Sequence, residues 1–253
     1  MTLETAGTEK LDIGTVIQTT FGVIRRNFVS FGLISLVFAG IPALVIGLAA
    51  PRGSAEAFTN PGATGTILLG VLVSIVATAV LQGALVHMTA ADLSGRSVSA
   101  SAGITTGVRN FLPLLGIGLL MSLGIIFGMI FLIVPGLILA IVWSVTVPAS
   151  IVERLTITSA FGRSRNLTRN NRWRILGLLL VLALATFVIE LVLGAIFGGL
   201  SVVSQASPIA ALGQAIGSVF AGMIGASGVA VLYAELRRIK DGVGINDLAA
   251  VFD

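Results

Sequence analysis

Long uninterrupted apolar segments alternate with short polar segments along the 253-residue chain. About 20 apolar residues cross the hydrocarbon core of a bilayer, where only a helix or a closed barrel pairs every backbone group. The apolar runs here are continuous and do not alternate over ten residues, so they predict helices. The pattern therefore predicts an all-α polytopic membrane protein with six spans, at residues 28–50, 65–91, 111–134, 137–152, 175–197 and 208–233.

Proline and glycine mark the ends of several predicted spans. Pro42 predicts a kink in the first span, because proline removes a helical hydrogen bond. Pro135 and Gly136 predict a tight turn between the third and fourth spans. Residues 198–207 are expected to form a short loop, and Pro208 is expected to open the sixth span.

Polar segments with helical apolar spacing precede the odd-numbered spans, at residues 12–26, 98–108 and 156–170. Apolar residues at i, i+3, i+4 and i+7 indicate amphipathic helices at the membrane surface. Each segment leads into a basic residue, an Asn and an aromatic residue: Arg26-Asn27-Phe28, Arg109-Asn110-Phe111 and Asn171-Arg172-Trp173. The pattern predicts a three-fold repeat of an interfacial helix and a transmembrane hairpin. The alternative is that every span starting from the basic side recruits Arg and aromatic residues.

Fourteen of the fifteen Lys and Arg residues lie in four patches, at residues 10–26, 96–109, 154–174 and 237–240. An even number of spans puts all four patches on one side of the membrane and leaves Arg52 alone on the other. Basic loops favour the cytoplasmic side. The sequence therefore predicts a multi-pass protein with both termini in the cytoplasm.

Composition narrows the function further. The chain is 56% hydrophobic and 10% charged, with one His and no Cys, whereas soluble domains carry about 25% charged residues. Disulfides, thiol catalysis and Cys- or His-cluster metal sites are excluded, and no cofactor is expected. The formal charge of +4 does not indicate nucleic-acid binding, because the arginines flank apolar spans as orientation signals do.

The two ends of the chain differ from the spans. Residues 1–11 are polar, show no cleaved signal peptide and are expected to be mobile, so residues 12–253 form the single predicted domain. The tail at residues 236–253 contains Ile245, Leu248 and Phe252 at amphipathic spacing. This tail is expected to fold back on the cytoplasmic face or to dock a protein partner.

Glu190 is the one acidic residue inside a predicted span, roughly 22 Å beyond Ile175 at 1.5 Å per residue. Its predicted polar partners are Ser74 and Thr78 on the second span, and Gln214 and Ser218 on the sixth. The acid is either a proton or cation site, or a protonated group that joins two helices by hydrogen bonds.

The densest basic cluster comprises Arg163, Arg165, Arg169, Arg172 and Arg174, with Trp173 at the membrane surface. Each arginine near an anionic leaflet contributes about 1 kcal/mol, and guanidinium groups bind phosphate in a bidentate manner. The cluster is therefore a candidate lipid- or phosphate-binding site. The alternative is an orientation signal with nonspecific lipid contact.

The same segment carries a family resemblance. Residues 160–175, AFGRSRNLTRNNRWRI, resemble the A-x-x-R-S-x-x-L-T-x-x-N-x-W-x-I signature of a bacterial membrane-protein family. That family includes the membrane domain fused to some glycerophosphoryl diester phosphodiesterases and the YciC-like inner-membrane proteins. Tyr233, Glu235, Leu236 and Arg237, followed by Gly242 and the acidic-apolar tail, are similar to its C-terminus. The resemblance implies a helical bundle in the bacterial cytoplasmic (inner) membrane, without the phosphodiesterase activity of the separate soluble domain.

These features together predict a non-enzymatic membrane protein that interacts with anionic lipid, or with a protein partner, at the inner leaflet. The alternative is a small-solute or ion transporter or channel that uses Glu190. An intramembrane enzyme is a third interpretation, but no nucleophile, base and orienting group can be assembled.

Overall fold

The computed structural model describes residues 10–49, 61–96, 99–204 and 207–242. All regular structure in these ranges is helical, and six helical segments are long and apolar enough to cross a membrane. The predicted all-α chain with six spans is thus confirmed. The helices are α1 (Ile13–Arg26), α2 (Phe28–Ser35), α3 (Ile41–Ala49), α4 (Pro61–Leu93), α5 (Ala100–Arg109), α6 (Phe111–Phe131), α7 (Ile133–Val142), α8 (Thr146–Val152), α9 (Ile157–Thr168), α10 (Arg172–Ser204) and α11 (Ser207–Asp241).

Helix α11 lies at the centre of the bundle and contacts α1, α3, α4 and α10. Its side chains Met223, Leu232 and Leu236 are fully buried in the main apolar core. At the periphery, Phe131 and Ile133 at the tip of the α6–α7 hairpin are 79% and 75% exposed. Lipid tails are as apolar as these side chains, so their exposure is expected of a lipid-facing surface.

Three short helices, α1, α5 and α9, precede spans, as the amphipathic pattern predicts. The first two join their spans in the same way. Asn27 and Asn110 each close the short helix, and their side-chain amides donate to the carbonyls of Val23 and Thr106, at 3.1 and 2.8 Å. These bonds satisfy one of the carbonyls that a helix end leaves unpaired.

The third junction is built differently. Helix α9 ends at Thr168, and Asn170 adopts a left-handed conformation with φ of 73°. The side chain of Asn171 then accepts a hydrogen bond from the distant Leu11 amide, at 3.3 Å. All three copies thus have a short helix followed by a span. Only the first two copies share the Asn side-chain hydrogen bond at the junction.

The first span is interrupted just before its proline. A π-helical turn at Leu36–Gly40 separates α2 from α3, and the Ile41 amide donates to the carbonyl of Leu36. Pro42 lies in the first turn of α3, where its missing N–H costs little. The irregularity predicted at Pro42 is therefore a wide turn that precedes the proline.

The turn between the third and fourth spans lies earlier than predicted. Leu132 alone is extended, and α7 already begins at Ile133, so Pro135 and Gly136 are helical. Proline is tolerated in a first turn. Gly136 allows α6 and α7 to pack closely, because a Cβ atom added to Gly128 would lie only 2.8 Å from the Cα atom of Gly136. The prediction of a Pro-Gly turn was wrong because close helix packing, rather than chain reversal, uses this glycine.

Helices α10 and α11 are longer than the apolar runs that predicted them. They comprise 33 and 35 residues, or roughly 50 Å each at 1.5 Å per residue, against about 30 Å of hydrocarbon. Residues 198–204, predicted as loop, continue α10. They stay helical because the two helices pack along most of their length, with Gly213 fitted against Phe197.

Candidate functional site

The structure brings the described parts of the four basic patches together at one end of the bundle, here named the basic end. Arg26, at the end of α1, binds Asp92 on α4 at 2.5 Å. Arg174, at the start of α10, donates to the backbone carbonyl of Leu11 at 2.6 Å. Leu11, which the sequence assigned to a mobile tail, is fully buried.

Arg163 is held in a network that joins three helices. Its Nε donates to both carboxylate oxygens of Glu153, at 2.9 and 3.0 Å, and its Nη2 donates to Asp241. Tyr233 donates its hydroxyl to the same Glu153 at 2.6 Å. This network, the Arg163 clamp, connects the end of α8, the middle of α9 and the last turn of α11.

The clamp is partly buried, and its charges are nearly balanced. The Arg163 side chain is 21% exposed. Burial lowers the pKa of Arg163, but the hydrogen bonds that it donates to Asp241 and Glu153 outweigh this effect and raise the pKa above the ordinary value. Arg237 lies 3.7 Å from Asp241, and its buried Nε and Nη1 have no hydrogen-bond acceptor. Arg163 is therefore a structural group rather than a free lipid ligand.

Three other members of the predicted cluster are free. Arg165, Arg169 and Arg172 are exposed, and no described carboxylate pairs with them. Trp173, the second residue of α10, is 85% exposed beside them. These four residues are named the arginine surface. Arg174 is also exposed, but its guanidinium is already hydrogen-bonded to the Leu11 carbonyl.

The residues that carry the family resemblance are mostly buried. Ser164 donates to the Val142 carbonyl at 2.7 Å, which satisfies the end of α7. Thr168 donates to the Ser164 carbonyl at 2.9 Å. The buried positions of the signature in this chain are Ala160, Ser164, Leu167, Thr168, Asn171 and Ile175. The signature therefore describes how α9 packs against the bundle, with Trp173 as its exposed member.

Glu190 lies in a groove between α10 and α11, with Ala43 of α3 at its edge. The groove has a volume of about 440 Å³, and its polar lining residues are Glu190, Gln214 and Ser218. The sequence-predicted partners on the sixth span are thus brought together with Glu190. Because the groove lies far from Arg163, it is a separate candidate site.

The partners predicted on the second span do not line this groove. Ser74 and Thr78 lie on α4, which contacts both α3 and α11, and Thr78 is exposed. Gly47 of α3 fits against α11, while Ile46 fits against α4. Equal depth in the membrane is therefore not enough for contact, because the rotation of each helix about its axis decides which side chains face one another. The Ser74 hydroxyl is buried without a hydrogen-bond partner.

Sequence reasoning missed the acidic partners at the basic end. Asp92, Glu153, Glu235 and Asp241 all bind arginines there. The available signal was an acidic residue within or beside a basic patch, just beyond an apolar run. The pairing of Asp241 with Arg163 in particular could not be deduced, because these residues are 78 positions apart in the sequence.

Within the described ranges, no group of three His, Asp or Glu side chains is arranged to hold a metal ion. The predicted docking residues Ile245, Leu248 and Phe252 lie outside the described residues. No model of a known protein family, no curated protein and no solved structure matches this chain.

Proposed function

We propose that this chain is a non-enzymatic protein of the bacterial cytoplasmic membrane that binds anionic phospholipid headgroups through the arginine surface. The observation that carries the proposal is the set of three exposed arginines without described carboxylate partners, next to an exposed tryptophan. Elsewhere at the basic end, Arg26, Arg163 and Arg238 are paired with acids. Uncompensated guanidinium groups at a membrane surface attract phosphate groups.

The position of Trp173 supports a lipid ligand over a soluble phosphate. Tryptophan favours the boundary between headgroups and acyl chains, because its ring is apolar and its indole N–H is polar. Trp173 lies between Arg172 and Arg174, just before the apolar part of α10 begins at Ile175. A phospholipid can therefore place its phosphate on the arginines and its acyl chains beside the same helix.

The test is lipid binding by the purified full-length chain, measured by native mass spectrometry with phosphatidylglycerol and phosphatidylcholine. The triple variant Arg165→Gln, Arg169→Gln, Arg172→Gln removes about 3 kcal/mol of attraction, or roughly 100-fold in affinity for phosphatidylglycerol. Using purified protein separates lipid binding from any effect of charge on membrane orientation.

A charge-matched control removes three cations outside the arginine surface: Arg25→Gln, Arg109→Gln and Lys240→Gln. This control should leave phosphatidylglycerol binding within a few-fold of wild type, because these side chains lie on other parts of the basic end. Equal losses in both triple variants would mean that net charge alone attracts the lipid, and the proposal would then fail.

Transport through Glu190 is a second candidate function, which the groove favours. Between the groove and the basic end, however, α10 and α11 pack through buried Leu182, Met223 and Ile224, and Leu182 fits against Gly228. Transport would require this apolar packing to open. The transport hypothesis predicts proton or cation flux in liposomes that Glu190→Gln abolishes, whereas lipid binding alone predicts no such flux.

A further inference from the structure

Two glycines of α10 that line the Glu190 groove, Gly194 and Gly198, are not in close contact with a neighbouring helix. Gly194 and Gly198 follow Glu190 at four-residue intervals and so share its face of α10. A Cβ atom added to either glycine would meet nothing within 4 Å. By contrast, a Cβ atom on Gly213 would lie 2.6 Å from that of Phe197. Gly194 and Gly198 therefore leave space in front of the carboxylate rather than admit a neighbouring helix.

Each of the three polar side chains of the groove has an oxygen that can accept a hydrogen bond. Within the described structure, the Glu190 carboxylate forms no hydrogen bond or ion pair. Its side chain lies over Gly217 of α11, where an added Cβ atom would be 3.5 Å from the Cγ atom of Glu190. Ser218 donates its hydroxyl to the backbone carbonyl of Gln214 at 2.7 Å, so its oxygen is left to accept. Carboxylate, amide and hydroxyl oxygens together suit a ligand that donates several hydrogen bonds.

The charge of the groove indicates a cation. Among the residues that the structure describes, the groove is lined by one acid and by no Lys or Arg. A carboxylate within the membrane is costly unless a positive charge or a proton offsets it. Calcium and magnesium ions need six or more oxygen ligands, and three polar side chains supply too few. An ammonium group, with its three N–H donors, matches the available acceptors better.

The size and depth of the groove limit the source of this ammonium group. A volume of about 440 Å³ is in the range of sites for small organic ligands, about 300–1,000 Å³. Glu190 lies roughly 22 Å from the start of the apolar part of α10, and hence roughly 8 Å from the far boundary of a 30 Å core. The ligand is therefore expected to enter from the leaflet or the water opposite the basic end.

We infer that the Glu190 groove binds a primary ammonium group, of either an aminophospholipid or a soluble amine, with Glu190, Gln214 and Ser218 as its acceptors. This site is independent of the arginine surface, because Glu190 lies 18 residues beyond Arg172 along α10. A chain with both sites would hold an anionic headgroup at one leaflet and an ammonium-bearing ligand at the other.

The first experiment compares dioleoyl phosphatidylethanolamine with dioleoyl phosphatidylcholine on the purified full-length chain, by native mass spectrometry. The two lipids share a phosphate and a positive charge, but only the ethanolamine headgroup has N–H donors. Wild type should prefer phosphatidylethanolamine by about tenfold or more, the effect of charge-assisted hydrogen bonds. Calorimetric titration with ethanolamine then distinguishes the sources: binding of free ethanolamine indicates a soluble amine, and its absence indicates the lipid.

Three variants test the site, two by changing the acid and one by filling the open space. Glu190→Gln removes the negative charge and should abolish the preference, while Glu190→Asp should retain part of it. The double variant Gly194→Leu, Gly198→Leu fills the open space without removing the acid, and it should also abolish binding at an unchanged melting temperature. Ser122→Ala is the control, because Ser122 is exposed on α6, outside the groove.

Absence of both the lipid preference and ethanolamine binding in wild type would overturn the inference. Persistence of wild-type binding in Glu190→Gln would also overturn it, because the carboxylate would then not be the acceptor. Glu190→Gln is isosteric and lies in a groove rather than in the core, so this comparison remains informative even if the double leucine variant misfolds.

Discussion

Arg163 donates to Asp241 across 78 positions of the chain. Asp241 is the last residue of α11, and Gly242 follows it with φ of 65°, a conformation that favours glycine. The ion pair therefore anchors the final turn of the sixth span to α9, which lies at the membrane surface. Because Arg163 also binds Glu153, one side chain joins two separate membrane hairpins at the basic end.

Replacing Arg163 with Met should destabilise the protein by about 2–3 kcal/mol, below the full cost of a broken buried pair because the site is partly exposed. The substitution keeps the apolar stem but leaves Glu153 and Asp241 without their cation. Thermal unfolding in detergent, followed by circular dichroism, measures the change. Arg165→Met is the matched control, since Arg165 is exposed on the same helix, and it should shift stability by less than about 0.5 kcal/mol. Equal shifts in the two variants would show that the clamp adds no stability.

Tyr233→Phe should cost about 1 kcal/mol, because it removes one hydrogen bond to a carboxylate that is partly exposed. The effect should depend on Arg163, since both groups bind Glu153. A double-mutant cycle of Tyr233→Phe with Arg163→Met should give a coupling energy of at least about 0.5 kcal/mol. Strictly additive losses would contradict a shared network.

Gly107→Ala should be among the most destabilising single-methyl changes in the chain. A Cβ atom there would overlap the backbone carbonyl of Val80, where α5 crosses α4. Gly118→Ala is the control, because nothing lies within 4 Å of its added Cβ, and removing a helical glycine should stabilise by up to about 1 kcal/mol. The two substitutions should therefore shift the unfolding temperature in opposite directions. A neutral Gly107→Ala would mean that α5 is not held against α4 as observed.

The start of α1 should loosen in acid. The Thr15 hydroxyl and the Gly14 amide bind the Asp12 carboxylate, and they lower its pKa below the ordinary value of 3.8. A carboxylate with a lower pKa in the folded state stabilises the helix above pH 3.8, and this contribution is lost as the pH falls through the folded-state pKa. Amide exchange of residues 14–16, corrected for intrinsic rates, should therefore show more opening at pH 3 than at pH 5.

Asp12→Asn provides the comparison for this pH effect. Asparagine caps helices about as well as aspartate but does not titrate. The variant should show little difference between the two pH values. If wild type and Asp12→Asn respond equally to acid, another group controls the start of α1.

The sequence by itself determined the class of protein, the number of spans and the common end of the basic patches. These properties depend on composition along a local window. Twenty apolar residues must form a helix in hydrocarbon, and the alternation of charged and apolar segments then distributes the patches. The amphipathic helices α1, α5 and α9 were predictable for the same reason, since their apolar spacing is local.

The tertiary structure alone decided which side chains meet. Arg163 and Arg165 are two residues apart in one basic run, yet the first is held by two acids and the second is free. Glu190 and Gln214 line one groove, whereas Ser74 lies outside it and Thr78 is exposed. Both outcomes depend on the rotation of each helix about its axis and on the neighbour it packs against. These are properties of long-range contacts, which no local window of sequence contains.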